Sequence, residues 1–156
     1  MSNDQTTSGY ALPVGLPQPR PAADGLEAPF WEGSRGHELR IQRCQACGTW
    51  QWGPEWLCHA CLGWAMGWEA VTPSGLLYAW ERVWHPTHPA LRGAVPYRVA
   101  LIELPQAGNV RVIGTLLGDP SDDPEIGTPV EAVFEDHDDV EQPYTLVQWR
   151  ITERSS

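Results

Sequence analysis

Four cysteines stand in two tight pairs, Cys44-Gln-Ala-Cys47 and Cys58-His-Ala-Cys61, separated by a spacer that begins at Gly48. A C-x2-C pair can turn both sulfurs toward one ion, and Gly48 permits the tight turn that a zinc knuckle needs. Two such knuckles facing each other make a tetrahedral shell of four thiolates, with Zn–S near ~2.3 Å. That shell has no open position, which argues for a structural rather than a catalytic metal. Binding of this kind supplies roughly 10–16 kcal/mol of apparent free energy in small modules. The sequence therefore predicts one structural Zn2+ on Cys44, Cys47, Cys58 and Cys61. Iron, as in rubredoxin, is the alternative metal, and a redox dithiol is a third reading. The spacer GTWQWGPEWL is long enough for a short β-hairpin, and His59 is expected to lie outside a shell already filled by sulfur.

Composition narrows the rest. Fifteen prolines and fifteen glycines in 156 residues favour short strands joined by turns over a helical bundle. Nine tryptophans are an unusual load. Because a buried Trp usually keeps its N–H paired, some should sit at surfaces or interfaces. The formal charge of −10 disfavours a polyanion partner, so no nucleic acid is expected. All ten basic residues are arginine, and without a lysine the chain cannot form a Schiff base. No 18-residue apolar run or signal-peptide pattern is present, and the paired cysteines suit a reducing compartment, so a cytoplasmic protein is expected.

Along the chain, residues 1–28 read as a flexible Pro-rich tail. Residues 29–39 suit a short helix, with Pro29 in its first turn and Glu32 toward its N-terminal end. Residues 40–72 form the zinc ribbon, with a strand over 64–72. Strand-like runs follow at 75–85, 97–104, 110–117, 129–134 and 144–151, each bounded by turn formers. Five such runs over 73–152 predict a mainly β protein with a small antiparallel barrel, an OB-fold or an SH3-like barrel. Ten carboxylates between 119 and 141 read as a solvated acidic face. A calcium site at Asp136, Asp138 and Asp139 is the sharper alternative, but it lacks the glycine and distal glutamate of an EF-hand loop.

The ordered set Pro29-Phe30-Trp31-Glu32-Gly33, the two knuckles, Gly75–Trp80, His85-Pro86, Pro96-Tyr97 and Ile126-Gly127-x-Pro129-Val130 resembles the domain-of-unknown-function 35 family. That resemblance implies a helix, a rubredoxin-like zinc ribbon and a C-terminal OB-fold. It also implies an acyl-CoA-associated partner subunit of thiolase-like enzymes, in a hetero-oligomer with a thiolase or an aldolase such as those of steroid side-chain degradation. Some members carry a fused hydratase domain, for which these 156 residues leave no room.

The residues themselves add a locally basic stretch. Arg82, Arg92, Arg98 and Arg111 face a single acid, Glu103, between 82 and 111. Arginine forks suit phosphate, so Arg82, Arg92 and Arg98 are candidates for the phosphates of acyl-CoA. Trp84, His85 and Tyr97 are candidates for the acyl or pantetheine path, and Trp80 for stacking. The competing reading has the arginines pointing outward from strands while the tryptophans fill the core. His85 and His88 have no nucleophile beside them, since all cysteines serve the metal, so no catalytic residue is assigned. The chain is read as a non-catalytic auxiliary subunit. The alternative is a free-standing OB-fold module that binds acyl-CoA or nucleic acid.

Overall fold

The computed structural model describes residues 9–152. The first eight residues of the expected tail lie outside them. Helix α1 spans Ala28–Arg35 and ends at Gly36, shorter than the expected 29–39. Pro29 lies in its first turn, and Arg35 in the last turn complements the helix dipole. Its two buried residues are Gly33 and Ser34. A Cβ on Gly33 would sit 2.8 Å from the Arg40 side chain, so the glycine that weakens the helix also lets it pack closely on the next strand.

That strand, β1 (Leu39–Cys44), is the centre of a three-stranded antiparallel sheet with β2 (Trp50–Gln51) and β3 (Met66–Val71). The spacer does not fold on itself as a hairpin. Trp50 and Gln51 pair instead with Arg43 and Gln42 of β1. Two buried glutamines hold the remainder in place. Gln42 donates to the Glu55 carbonyl and accepts from the Glu55 N–H, while Gln51 donates to the Leu57 carbonyl and accepts from the His59 N–H. These bonds satisfy loop backbone that burial would otherwise leave unpaired.

The second sheet contains β4 (Ser74–Val83), β5 (Tyr97–Leu104), β6 (Val110–Thr115), β7 (Pro129–His137) and β8 (Tyr144–Ile151), in the order β6-β5-β4-β7-β8. All its pairs are antiparallel, and a bridge between Leu116 and Trp149 brings β8 round to the far edge. The result is a near-closed five-stranded barrel, an OB-fold. Period-two patterning fills it: along β5, Arg98, Ala100, Ile102 and Leu104 are buried and alternate with half-buried neighbours. Trp149 is fully enclosed. Gly114 makes room for it, since a Cβ there would lie 2.7 Å from the indole. Leu39 and Ile41 of β1 share one core with Leu77, Ile102 and Trp149, so ribbon and barrel are a single packed unit. Of the remaining tryptophans, Trp50, Trp52 and Trp80 pack against this core, while Trp56, Trp64 and Trp84 are exposed. No helix among the described residues is long and apolar enough to cross a membrane.

Candidate functional site

The two knuckles superimpose in their chemistry. Gly48 N–H donates to the Cys44 carbonyl, and Leu62 N–H donates to the Cys58 carbonyl. Both following residues adopt left-handed backbone, Gly48 at φ 77° and Leu62 at φ 59°. Cys44 Sγ lies 3.6 Å from Cys61 Sγ, and Cys47 Sγ lies 3.7 Å from Cys58 Sγ. All four sulfurs fall within 4.8 Å of one another. A tetrahedral zinc shell with Zn–S of ~2.3 Å has sulfur–sulfur edges of about 3.8 Å. The donor set and its spacing therefore fit a tetrahedral metal ion. Cys44 and Cys58 are buried while Cys47 and Cys61 face outward.

The thiols do not behave alike without a cation. Thr49, through its hydroxyl at 3.2 Å and its backbone N–H, pulls Cys47 down to about 6. At Cys61 the Gly63 amide pulls down, but the neighbouring sulfurs of Cys44 and Cys47, with burial, outweigh it and push the thiol up to about 11. Crowded thiols share protons because adjacent negative charges are costly, and a divalent cation removes that cost. His59 turns to Gln51 Oε1 at 2.8 Å, away from the sulfurs. Asp136 and Asp138 have cationic partners of their own, described below, and the cysteines are the one metal-donor group found among the described residues.

The basic stretch is arranged differently from its sequence reading. Arg82 and Arg98 are cross-strand neighbours on β4 and β5. Arg82 donates to the carbonyls of Pro120, Ser121 and Asp122 and pairs with Asp123 at 2.7 Å. Arg98 is only 2% exposed and donates to the carbonyls of Leu117 and Asp122. Burial lowers the Arg98 guanidinium from its ordinary value, partly offset by Asp122. Both arginines clamp the acidic 117–124 loop. Arg111 lies over the Tyr78 ring at 3.6 Å and pairs with Glu103. Trp80, half-buried, donates its indole N–H to the Pro124 carbonyl.

Arg92 is different. It is exposed at the end of a short 3-10 turn, Pro89–Leu91, and its guanidinium has no protein partner among the described residues. Trp84 and His85 leave the end of β4, where Val83 pairs with Tyr97, so these three residues gather at one end of the barrel. Trp84 is 59% exposed, His85 is exposed and Tyr97 is half-buried. His88 accepts from the Ala90 N–H and caps the 3-10 turn.

Comparison with known proteins bears on this arrangement. A family model described as the ChsH2 C-terminal OB-fold domain matches residues 68–135. A chain of the Ltp2-ChsH2(DUF35) aldolase superimposes with a TM-score of 0.70 at 32% identity, covering 85% of this chain and 98% of that one. The chain belongs to the DUF35 family. A DUF35 protein of unknown function from Sulfolobus solfataricus shares the fold at a TM-score of 0.54 and 13% identity, over 80% of this chain and 84% of that one. A probable enoyl-CoA hydratase alpha subunit of Thermomonospora curvata is 36% identical over 115 residues, 72% of this chain. This DUF35 chain spans only about a third of that relative, 34% of its length.

Some features of this DUF35 chain escape a reading by motif. β7 runs on to His137, past the expected end at Phe134, because its acids are paired. On one face, Asp136 takes a hydrogen bond from Thr145, lies 2.9 Å from His37 Nε2 and is within 3.7 Å of Arg35, which also pairs with Asp138. On the other, Glu135 meets His137 at 2.8 Å and accepts the Ala11 N–H at 2.7 Å. Tyr10 and Tyr144 stack on the His137 ring, with centroids at 4.0 and 4.5 Å. The N-terminal segment thus forms a strap over β7 and β8. Charge count alone reports ten acids; only strand parity separates those facing the helix from those facing the strap.

Proposed function

We propose that this chain is an auxiliary subunit that carries one structural Zn2+, helps hold an acyl-CoA, and completes a thiolase-like partner, an aldolase or thiolase acting on CoA esters. The observation that carries this reading is the likeness, over 85% of this chain, to a chain of the Ltp2-ChsH2(DUF35) aldolase. The chemistry of this chain agrees with it. The four cysteines form one group that could hold a metal, no lysine exists for a Schiff base, and no serine or threonine hydroxyl is hydrogen-bonded to a histidine ring among the described residues. The partner then supplies the nucleophile or base.

Within this reading, Arg92 is the first candidate for a CoA phosphate because its fork is free. Trp84, His85 and Tyr97 would lie along the acyl or pantetheine path. Arg82 and Arg98 act indirectly, by fixing the neighbouring acidic loop. Trp56, Leu62 and Trp64 on the ribbon are 50%, 66% and 77% exposed, an apolar surface of the kind that subunit interfaces cover. Co-expression with a tagged thiolase-like partner should give a stoichiometric hetero-oligomer. Recovery of a monodisperse chain that ignores the partner would favour a free-standing binding module.

A further inference from the structure

A cleft of about 620 Å3 lies between the N-terminal strap and the β7–β8 end of the barrel. Its volume falls in the range of small-molecule sites, roughly 300–1,000 Å3. Leu12, Val14 and Leu16 of the strap face Val140 and Leu146 across it. The aromatic stack of Tyr10, His137 and Tyr144 forms one wall.

The cleft's charges have one sign. Glu135 and Asp139 line it, and no arginine does. His137, its only group able to become cationic, is already engaged with Glu135. Both Glu135 oxygens have partners within the fold, one from His137 and one from Ala11. The Tyr10 and Tyr144 hydroxyls and the Asp139 carboxylate have no hydrogen-bond partner among the described residues. These groups offer an entering molecule two hydroxyls and one acceptor. An anionic group would meet carboxylates in a partly desolvated site with nothing to neutralise it.

We infer that this cleft binds an uncharged, mainly apolar small-molecule body, with a hydroxyl donating to Asp139 or a carbonyl accepting from a tyrosine hydroxyl, and that it rejects anionic ends. It is therefore not a second phosphate site. The strap also passes the loop that carries Arg92: a Cβ on Gly15 would lie 3.9 Å from the Ala90 Cβ. If the proposed function holds, on which this one extension rests, the cleft seats the apolar part of an acyl group whose CoA end lies at Arg92, and acyl chains ending in a second carboxylate are disfavoured.

The test needs no CoA, so its failure is distinct from failure of the functional reading. The full chain, zinc-loaded and 15N-labelled, is titrated with 1-octanol and separately with octanoate at neutral pH. Octanol should produce saturable amide shifts confined to residues 10–19 and 135–146, and octanoate should bind at least about tenfold more weakly. Asp139→Asn, at an exposed position, removes one of the two lining carboxylates and should narrow that gap by several fold. No saturable octanol shift up to its solubility, equal binding of the two probes, or an unchanged gap in D139N would each overturn the inference.

Discussion

Arg82 and Arg98 face each other across β4 and β5, and both donate to the same atom, the carbonyl oxygen of Asp122, at 3.0 and 3.1 Å. Two like charges side by side repel. The carboxylates of Asp122, Asp119 and Asp123 offset that repulsion, each raising the Arg98 guanidinium's preference for its charged form against its burial. Arg98→Met removes the buried charge but strands the Leu117 carbonyl and leaves the Asp122 carbonyl to Arg82 alone. We expect a loss of about 2–3 kcal/mol, from two hydrogen bonds and one acceptor left unsatisfied. Amides of residues 117–124 should exchange faster. Urea denaturation and hydrogen exchange check both, and a stable variant with an unchanged loop would show that the clamp is idle.

How legible this clamp was depends on which signal is read. The run YRVALIEL announces a strand, and its parity puts Arg98 on the same face as Ala100, Ile102 and Leu104. Reading local charge instead makes Arg98 look like a phosphate ligand. The cysteine spacing located the metal-donor group directly, because ligand geometry is local. The pairing of Trp50 and Gln51 with β1, and the bracing by Gln42 and Gln51, were not legible, since polar side chains buried against loop backbone carry no periodic signal. The strap over β7 was equally hidden: it depends on a stack among Tyr10, His137 and Tyr144, whose partners are distant in sequence.

Leu62 holds a left-handed conformation that Gly48 holds in the matching knuckle without strain. A non-glycine residue there costs roughly 1–2 kcal/mol, partly offset by the greater unfolded-state freedom of glycine. Because the Leu62 side chain is 66% exposed, Leu62→Gly loses little burial and should stabilise the isolated chain by about 0.5–1 kcal/mol. The same change should weaken a partner complex that covers this leucine. Thermal unfolding of the chain alone, beside affinity for the partner, separates the two effects.

Cys47→Ser should lose the metal and melt the ribbon. Three thiolates and a hydroxyl make a poor zinc shell, and ribbon and barrel share one core, so the loss should reach the barrel as well. Elemental analysis of the wild-type chain should give about one zinc per molecule. Iron at full occupancy would reject the zinc assignment, and absence of both metals would reject the site.

Asp136 is held below the usual carboxylate range, first by the Thr145 hydroxyl, and also by His37 and Arg35. A depressed folded value contributes stability that is fully present above the unfolded value of about 3.9 and is lost as pH falls through the folded value. Asp136 is 35% exposed, so solvent screening limits the gain. Asp136→Asn should cost about 1 kcal/mol at pH 7 and less at pH 3. Urea midpoints of both proteins at the two pH values give the comparison, and an equal difference at each would remove Asp136 from the acid response.

The most direct measurement is CoA-ester turnover by a co-expressed thiolase-like partner, assayed with this chain, without it, and with this chain alone. The account predicts that the complex turns over the ester, that the partner without this chain is insoluble or loses most of its activity, and that this chain alone is inert. A soluble, fully active partner in its absence, or turnover by this chain alone, would contradict it.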